Sequence, residues 1–240
     1  MHRSVLKAVP LALAALGMAA LTHTAVAASS HGHERMSRSE RSDAHDAQQR
    51  VNAAVKVVSK MKQDPGLARL LERAKGVFVI PSFGSGALIV GGHGGGGVVL
   101  AHHEGKWSDP AFFDVGGASI GAQAGGAGGS VALLLMTQKA LDKFETTNGR
   151  WALNAGAGLT LANYNGSARA QGNHDVIVWT NAKGLYGGLT ASATYVTPVS
   201  DMNHAYYEKQ ATPREILTGS ASNAGADTLR DTLLTRVASK

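Results

Sequence analysis

A run of small residues, GSGALIVGGHGGGG at positions 84–97, restricts the possible folds more than any other feature of the chain. Nine of its fourteen positions are Gly or Ala, and sixteen of the thirty glycines lie between Gly84 and Gly129. Glycine within strands permits bulges, sharp coiling and close approach of neighbouring backbones. The run therefore predicts a strongly shaped sheet, provided that it is not a phosphate-binding loop.

The spacing of the run excludes the common nucleotide-binding loops. A P-loop needs Lys followed by Ser or Thr directly after its last glycine, but Gly97 is followed by two valines. A dinucleotide fingerprint starting at Gly84 would need a third glycine where Ile89 stands. We therefore predict no nucleotide partner and no cofactor.

Apolar residues at helical spacing open and close the chain. Val51, Val55, Val58 and Met61 form one stripe, so a helix is predicted over residues 43–62 with Ser42 as its N-cap. The sequence Asp64-Pro65-Gly66 interrupts this pattern. Further helices are predicted over residues 67–74, 137–145 and 223–237.

Between these helices the apolar pattern is typical of short strands joined by glycine-rich turns. The predicted strands cover residues 77–82, 87–90, 98–103, 112–124, 131–136, 151–162, 176–180 and 184–196. Helices do not alternate with these strands, which argues against a doubly wound parallel sheet. We predict an α+β fold with a curved, largely antiparallel, glycine-rich sheet or small barrel and N-terminal and C-terminal helices packed on it.

The N-terminus has the pattern of a secretory signal peptide. Arg3 and Lys7 precede an apolar run over residues 8–21, and Ala25 and Ala27 form an A-x-A cleavage site. We expect cleavage after Ala27, export to the periplasm or cell envelope, a disordered leader over residues 28–42 and a single domain over residues 43–240. The chain has no cysteine, which excludes a lipoprotein anchor and disulfides.

The charge balance favours an anionic surface as partner without requiring nucleic acid. Removal of residues 1–27 leaves 21 basic against 17 acidic residues, a net charge of +4. Aromatic residues make up only 5% of the chain, which weakens any prediction of base stacking. No nucleic-acid partner is predicted.

Two patterns invite catalytic or metal-binding interpretations. Residues 117–121 match G-x-S-x-G around Ser119, but the glycine-rich sequence that follows is a poor helix, which this nucleophile motif requires. His102 and His103 are adjacent, and adjacent strand residues face opposite sides of a sheet. We therefore predict no catalytic residue and no metal site.

The segment AKGVFVIPSFGSGALIVGGHGGGGVVLAHHEGKWSDPAFFDVGGASIGAQAGG closely resembles the SYLF (Ysc84-like) domain family. The resemblance rests on Ala74-Lys75-Gly76, on W-x-x-P-x-F from Trp107 to Phe112, and on Gln123 with Gly125, and it extends over about residues 45–220. It implies binding to membrane phospholipid, which in eukaryotic members is phosphoinositide, sometimes together with actin.

An exported bacterial member would meet neither phosphoinositide nor actin, so an anionic lipid such as cardiolipin or phosphatidylglycerol is the expected ligand. An amphipathic helix flanked by lysines can lie among lipid headgroups. The basic candidates are Lys56, Lys60, Lys62, Arg69, Arg73 and Lys75, and the candidate interface aromatics are Trp107, Phe112 and Phe113. In the alternative, the stripe packs on the sheet, the charges are a solvated face and the aromatics belong to the core.

The sequence thus predicts an exported protein that binds anionic phospholipid without catalysis. One alternative is a structural or interaction module of the cell envelope that associates through exposed strands. Another is a hydrolase that uses Ser119. The pattern does not determine the oligomeric state.

Overall fold

The computed structural model describes residues 36–87, 90–120, 127–153, 158–164, 173–181 and 193–234. The predicted signal peptide and residues 28–35 of the predicted leader lie outside these ranges, as does most of the predicted strand over residues 184–196. In the described ranges no helix is long and apolar enough to cross a membrane.

Six α-helices and nine strands are found in the described residues. The helices are α1 (Arg38–Met61), α2 (Pro65–Arg73), α3 (Gln138–Thr146), α4 (Ser200–Tyr207), α5 (Pro213–Leu217) and α6 (Asp227–Leu234), and a 3₁₀ turn (Ala224–Ala226) precedes α6. The strands are β1 (Gly76–Ala87), β2 (Val90–His103), β3 (Lys106–Trp107), β4 (Ala111–Ile120), β5 (Ala127–Leu135), β6 (Trp151–Ala152), β7 (Leu161–Asn163), β8 (Val176–Thr180) and β9 (Ala193–Pro198).

The strands form one strongly curled sheet in the order β6-β9-β4-β2-β1-β5-β8-β7, with β3 paired to the end of β2. All pairs between described strands are antiparallel except β7 with β8. The predicted fold class is therefore confirmed: the protein is α+β, with a largely antiparallel sheet and helices from both ends of the chain.

Helix α1 begins five residues earlier than the sequence pattern predicts. Its N-cap is Ser37 and not Ser42, because Ser37 and Glu40 form a capping box. The Glu40 amide donates to Ser37 Oγ at 3.1 Å, and the Ser37 amide donates to Glu40 Oε2 at 2.6 Å. Residues 38–42 are consequently helical and not part of a leader.

Helices cover both faces of the sheet at its centre. Consecutive residues of a strand point to opposite faces, and Phe112 contacts Tyr206 of α4 whereas Phe113 contacts Phe144 of α3. Residues 77–80, 98–101 and 131–135 are buried without alternation, as expected for strands covered on both sides. Helix α1 packs against β1, β2, α4 and α6.

Glycine in β2 permits two close contacts that a side chain would block. A Cβ atom at Gly97 would lie 2.6 Å from the Phe78 ring, and one at Gly96 would lie 2.6 Å from Arg50 Nη1. Arg50 reaches from α1 across Gly96 to Asp114 Oδ1 at 2.9 Å. The structural interpretation of the glycine run is confirmed at these positions.

The β2–β3 hairpin gives a direct test of turn chemistry. Glu104 and Gly105 both have positive φ (50° and 78°), the pattern of a two-residue type I′ turn, in which Asn-Gly is preferred. Because asparagine adopts this conformation at lower cost than glutamate, Glu104→Asn should raise the free energy of unfolding by roughly 0.5 kcal/mol. Urea denaturation measures the change.

A matched control is Glu72→Asn, which places the same substitution at an exposed position of α2. There asparagine has the lower helix propensity, so the control should lose stability. If Glu104→Asn lowers the free energy of unfolding as much as the control does, the turn is not strained at Glu104.

Candidate functional site

Five of the six predicted basic residues are exposed. They lie between the second half of α1 and the start of β1. Lys56 and Lys60 lie one turn apart on α1, and Arg69 and Arg73 lie one turn apart on α2. Lys75 directly precedes β1. In the described part of the chain none of these five side chains forms a salt bridge or a hydrogen bond. We call residues 56–75 the basic segment.

The apolar stripes of the two helices face the protein interior. On α1, Val51, Val58 and Met61 have no exposed surface, and on α2, Leu67 and Leu70 are each 1% exposed. Neither stripe can enter a lipid surface while the fold is intact. The alternative in which the stripe packs on the sheet is the observed one, and only the charges remain outside.

Lys62 differs from the other five basic residues because its ammonium group is bound within the protein. Its Nζ donates to the carbonyl oxygens of Thr232 and Leu233, at 2.7 and 2.9 Å, in the last turn of α6. Burial lowers the pKa of this ammonium group. Lys62 thus joins the C-terminal end of α1 to the last described turn of α6.

The three candidate interface aromatics belong to the core, which corrects their prediction as membrane contacts. Phe112 and Phe113 have no exposed surface, and Trp107 is 6% exposed. Trp107 stacks on His102 with ring centroids 4.5 Å apart and planes within 6°. Apolar rings of this size are buried because burial removes their area from water, so the W-x-x-P-x-F sequence shapes the interior.

The adjacent histidines have different partners, as their alternation on a strand predicts. His102 Nδ1 lies 3.1 Å from the Ala74 carbonyl oxygen, and His103 Nε2 lies 3.7 Å from Glu145 Oε1. Burial raises the pKa of Glu145, which His103 counteracts. No group of three potential metal ligands occurs in the described ranges.

Comparison of the sequence with known proteins assigns the chain to a family. The family model described as Ysc84, Las17-binding protein actin regulator, matches residues 116–236, half of the chain. The chain belongs to the Ysc84 family. Its glycine-rich strands and its W-x-x-P-x-F sequence precede or overlap the start of that match.

Fungal proteins are similar to this Ysc84 domain over much of its length. LAS seventeen-binding protein 3 of Saccharomyces cerevisiae is 29% identical over 155 residues, covering 62% of this chain and 34% of the relative. An SH3 domain-containing protein of Schizosaccharomyces pombe is 27% identical over 174 residues, covering 70% and 40%. Protein YSC84 of Saccharomyces cerevisiae is 26% identical over 155 residues.

The chain therefore spans between one third and two fifths of the length of these relatives. No solved structure matches the chain. The assignment to the Ysc84 family therefore rests on sequence, and the fold described above is seen from this chain alone.

Ser119 of the Ysc84 domain does not have the strand arrangement of a hydrolase nucleophile. It lies inside β4 and pairs with Gly91, and β4 is antiparallel to both of its neighbours. A nucleophile elbow requires a sharp turn between the C-terminal end of a strand and a following helix, in a largely parallel sheet. The predicted elbow would continue into residues 121–126, which lie outside the described ranges.

Asp175 joins the start of β8 to the segments that precede α3 and β7. Its carboxylate accepts hydrogen bonds from Thr137 Oγ1 at 2.8 Å and from the Thr160 amide and hydroxyl at 2.9 and 3.0 Å. Burial alone would raise the pKa of this carboxyl group, but these hydrogen bonds outweigh burial and lower it.

Sequence reasoning missed two ion pairs between distant parts of the chain. Arg50 pairs with Asp114, and Arg230 pairs with Asp109 at 3.0 Å. Each pair joins a helix to a distant part of the chain. No local pattern reveals such pairs, because the partners meet only after the sheet has formed.

The Asp175 interactions predict a defined dependence of stability on pH. A carboxyl group whose pKa is lowered by folding stabilises the fold above its unfolded pKa of about 4, and this contribution disappears as the pH falls through the folded pKa. Asp175→Asn should therefore lower the free energy of unfolding by about 2 kcal/mol at pH 7, and this loss should shrink steadily as the pH falls below about 4.

Denaturant titrations of both proteins from pH 7 to pH 3 measure this difference. The remaining titratable groups are common to both, so the difference between the two pH curves isolates Asp175. A constant difference across the range would show that Asp175 acts as a neutral packing group.

Proposed function

We propose that this Ysc84-family protein is exported and binds anionic phospholipid headgroups at a membrane surface, without catalysis, through Lys56, Lys60, Arg69, Arg73 and Lys75. The observation that carries the proposal is the exposure of five unpaired cations on the basic segment. Residues 56–75 contain six basic and two acidic residues, a net charge of +4. This equals the net charge of the whole chain without residues 1–27.

The fold supports a peripheral mode of binding. Because the apolar stripes of α1 and α2 are buried, attraction between cations and anionic lipid supplies the affinity. Each Lys or Arg near an anionic surface contributes on the order of 1 kcal/mol. Several such contributions together suffice for reversible attachment, which salt should weaken.

Export remains a proposal that rests on residues 1–27 alone. Cardiolipin and phosphatidylglycerol are the anionic lipids that an exported bacterial protein would meet. Cleavage after Ala27 would leave the basic segment near the start of the mature protein. N-terminal sequencing of protein from the envelope fraction tests both statements.

Flotation with vesicles tests lipid binding. The protein should float with phosphatidylglycerol vesicles and much less with phosphatidylcholine vesicles. Replacing both Lys56 and Lys60 by glutamate should weaken binding to the anionic vesicles by more than about thirtyfold. Two attractive contributions of roughly 1 kcal/mol each are lost, and two repulsive charges are added. The difference between the two proteins should shrink in high salt.

The matched control is Arg38→Glu with Arg41→Glu, the same change of charge at the opposite end of α1. This control should bind almost as well as the unchanged protein, since α1 is 24 residues long and spans about 35 Å. Equal losses in both variants would mean that net charge, and not the basic segment, determines binding. Absence of binding to any vesicle would remove the proposed function.

A second candidate function is that of a protein-binding module, which the names of the relatives favour. The family description and LAS seventeen-binding protein 3 both refer to binding of another protein. Exposed edge strands would supply a surface for such contacts or for self-association. Size-exclusion chromatography over a range of concentrations, with and without vesicles, separates this candidate from the first.

A further inference from the structure

The β2–β3 hairpin and the segment after α5 enclose a groove of about 290 Å³. Its apolar part is formed by Trp107, Leu217 and Ala221, which are all more than nine-tenths buried. The stacking of Trp107 on His102 fixes the orientation of the indole ring. The groove is therefore a preformed feature of the fold.

Three basic side chains line the polar part of the groove. They are His103, Lys106 and Arg230. Lys106 is exposed, and no described residue forms a salt bridge with it. The His103 side chain is 45% exposed and that of Arg230 is 34% exposed, so each can contact a ligand in the groove.

Two carboxylates hold the guanidinium group of Arg230 in position. Its Nη1 lies 3.0 Å from Asp109 Oδ1, and its Nη2 contacts Asp227. The Asp109 side chain is 1% exposed and also accepts a hydrogen bond from the Asn223 amide at 2.6 Å. A guanidinium fixed by a buried carboxylate retains further N–H donors for an anion.

Of the two carboxylates that line the groove, one is bound within the protein and the other is exposed. Asp109 is engaged by Arg230 and Asn223, whereas Glu104 is exposed at the tip of the hairpin and has no partner in the described residues. Glu104 would repel an anion held by Lys106, so its removal should improve anion binding.

The groove is connected to the basic segment through the backbone. The His102 amide donates to the Lys75 carbonyl oxygen at 2.8 Å, so the last residue of the basic segment lies beside the strand that leads into the hairpin.

We propose that this groove binds the glycerophosphate part of one phospholipid headgroup, with the phosphate at Lys106 and Arg230. This inference rests on the proposed function and names the site at which a single headgroup is recognised. A volume of about 290 Å³ is at the lower limit of small-molecule pockets, which suits a group of headgroup size.

Two variants of exposed groove residues test the proposal in opposite directions. Isothermal titration with glycerol 3-phosphate should show about fivefold weaker binding to Lys106→Ala and about twofold tighter binding to Glu104→Gln. The matched control, Arg38→Ala, removes one positive charge at the start of α1 and should leave the affinity unchanged. Flotation with phosphatidylglycerol vesicles should rank the four proteins in the same order.

The tighter binding of Glu104→Gln cannot result from damage to the fold. Glycerol 3-phosphate affinities that do not differ among the four proteins would overturn the site. Vesicle binding that depends on Lys56 and Lys60 but not on Lys106 or Glu104 would overturn the groove and leave the proposed function intact. Binding of glycerol 3-phosphate without any binding to vesicles would overturn the lipid as its source, in favour of a soluble phosphate ester.

Discussion

The rest of the structure depends on the close approach of backbones at the glycines of β2. The absence of a Cβ atom at Gly97 lets the Phe78 ring lie against the strand, and its absence at Gly96 lets Arg50 cross from α1 to Asp114. The Gly96 contact sets α1 directly on the curled sheet, and the Gly97 contact packs Phe78 on the opposite face, beside Phe113 and Phe144 of α3. Once α1 is placed there, its apolar stripe is buried and its lysines are turned outward.

This placement decides which physical forces remain available for function. The hydrophobic area of α1 and α2 stabilises the fold and is not available to a membrane, so an interaction with lipid has to be electrostatic. Polar contacts do the remaining structural work. Lys62 binds two carbonyl groups of α6, and the pair formed by Arg230 and Asp109 joins α6 to the segment that follows Trp107.

The sequence predicted the features that depend on local pattern. The α+β class, the antiparallel sheet and the helical stripe follow from periodicity, and the glycine run was recognised as structural because Val98 and Ile89 break the phosphate-binding motifs. The helix start was wrong because Ser37 and Ser42 are both possible caps and only the first has Glu40 three residues later. The sequence leaves open whether Lys62 contacts lipid and whether Phe112 and Phe113 lie at an interface or in the core. Only packing shows that Lys62 binds carbonyl groups and that both phenylalanines are core residues. The groove joins residues more than a hundred positions apart, which no local pattern can reveal.

The central claim is that the fold presents residues 56–75 to anionic phospholipid. Paramagnetic relaxation from a gadolinium-labelled lipid, measured by NMR on the protein bound to phosphatidylglycerol nanodiscs, tests that claim most directly. We expect the strongest signal loss at the amides of Lys56, Lys60, Arg69, Arg73 and Lys75. Strongest loss at the sheet edges β6 and β7, with the amides of the basic segment unaffected, would contradict it.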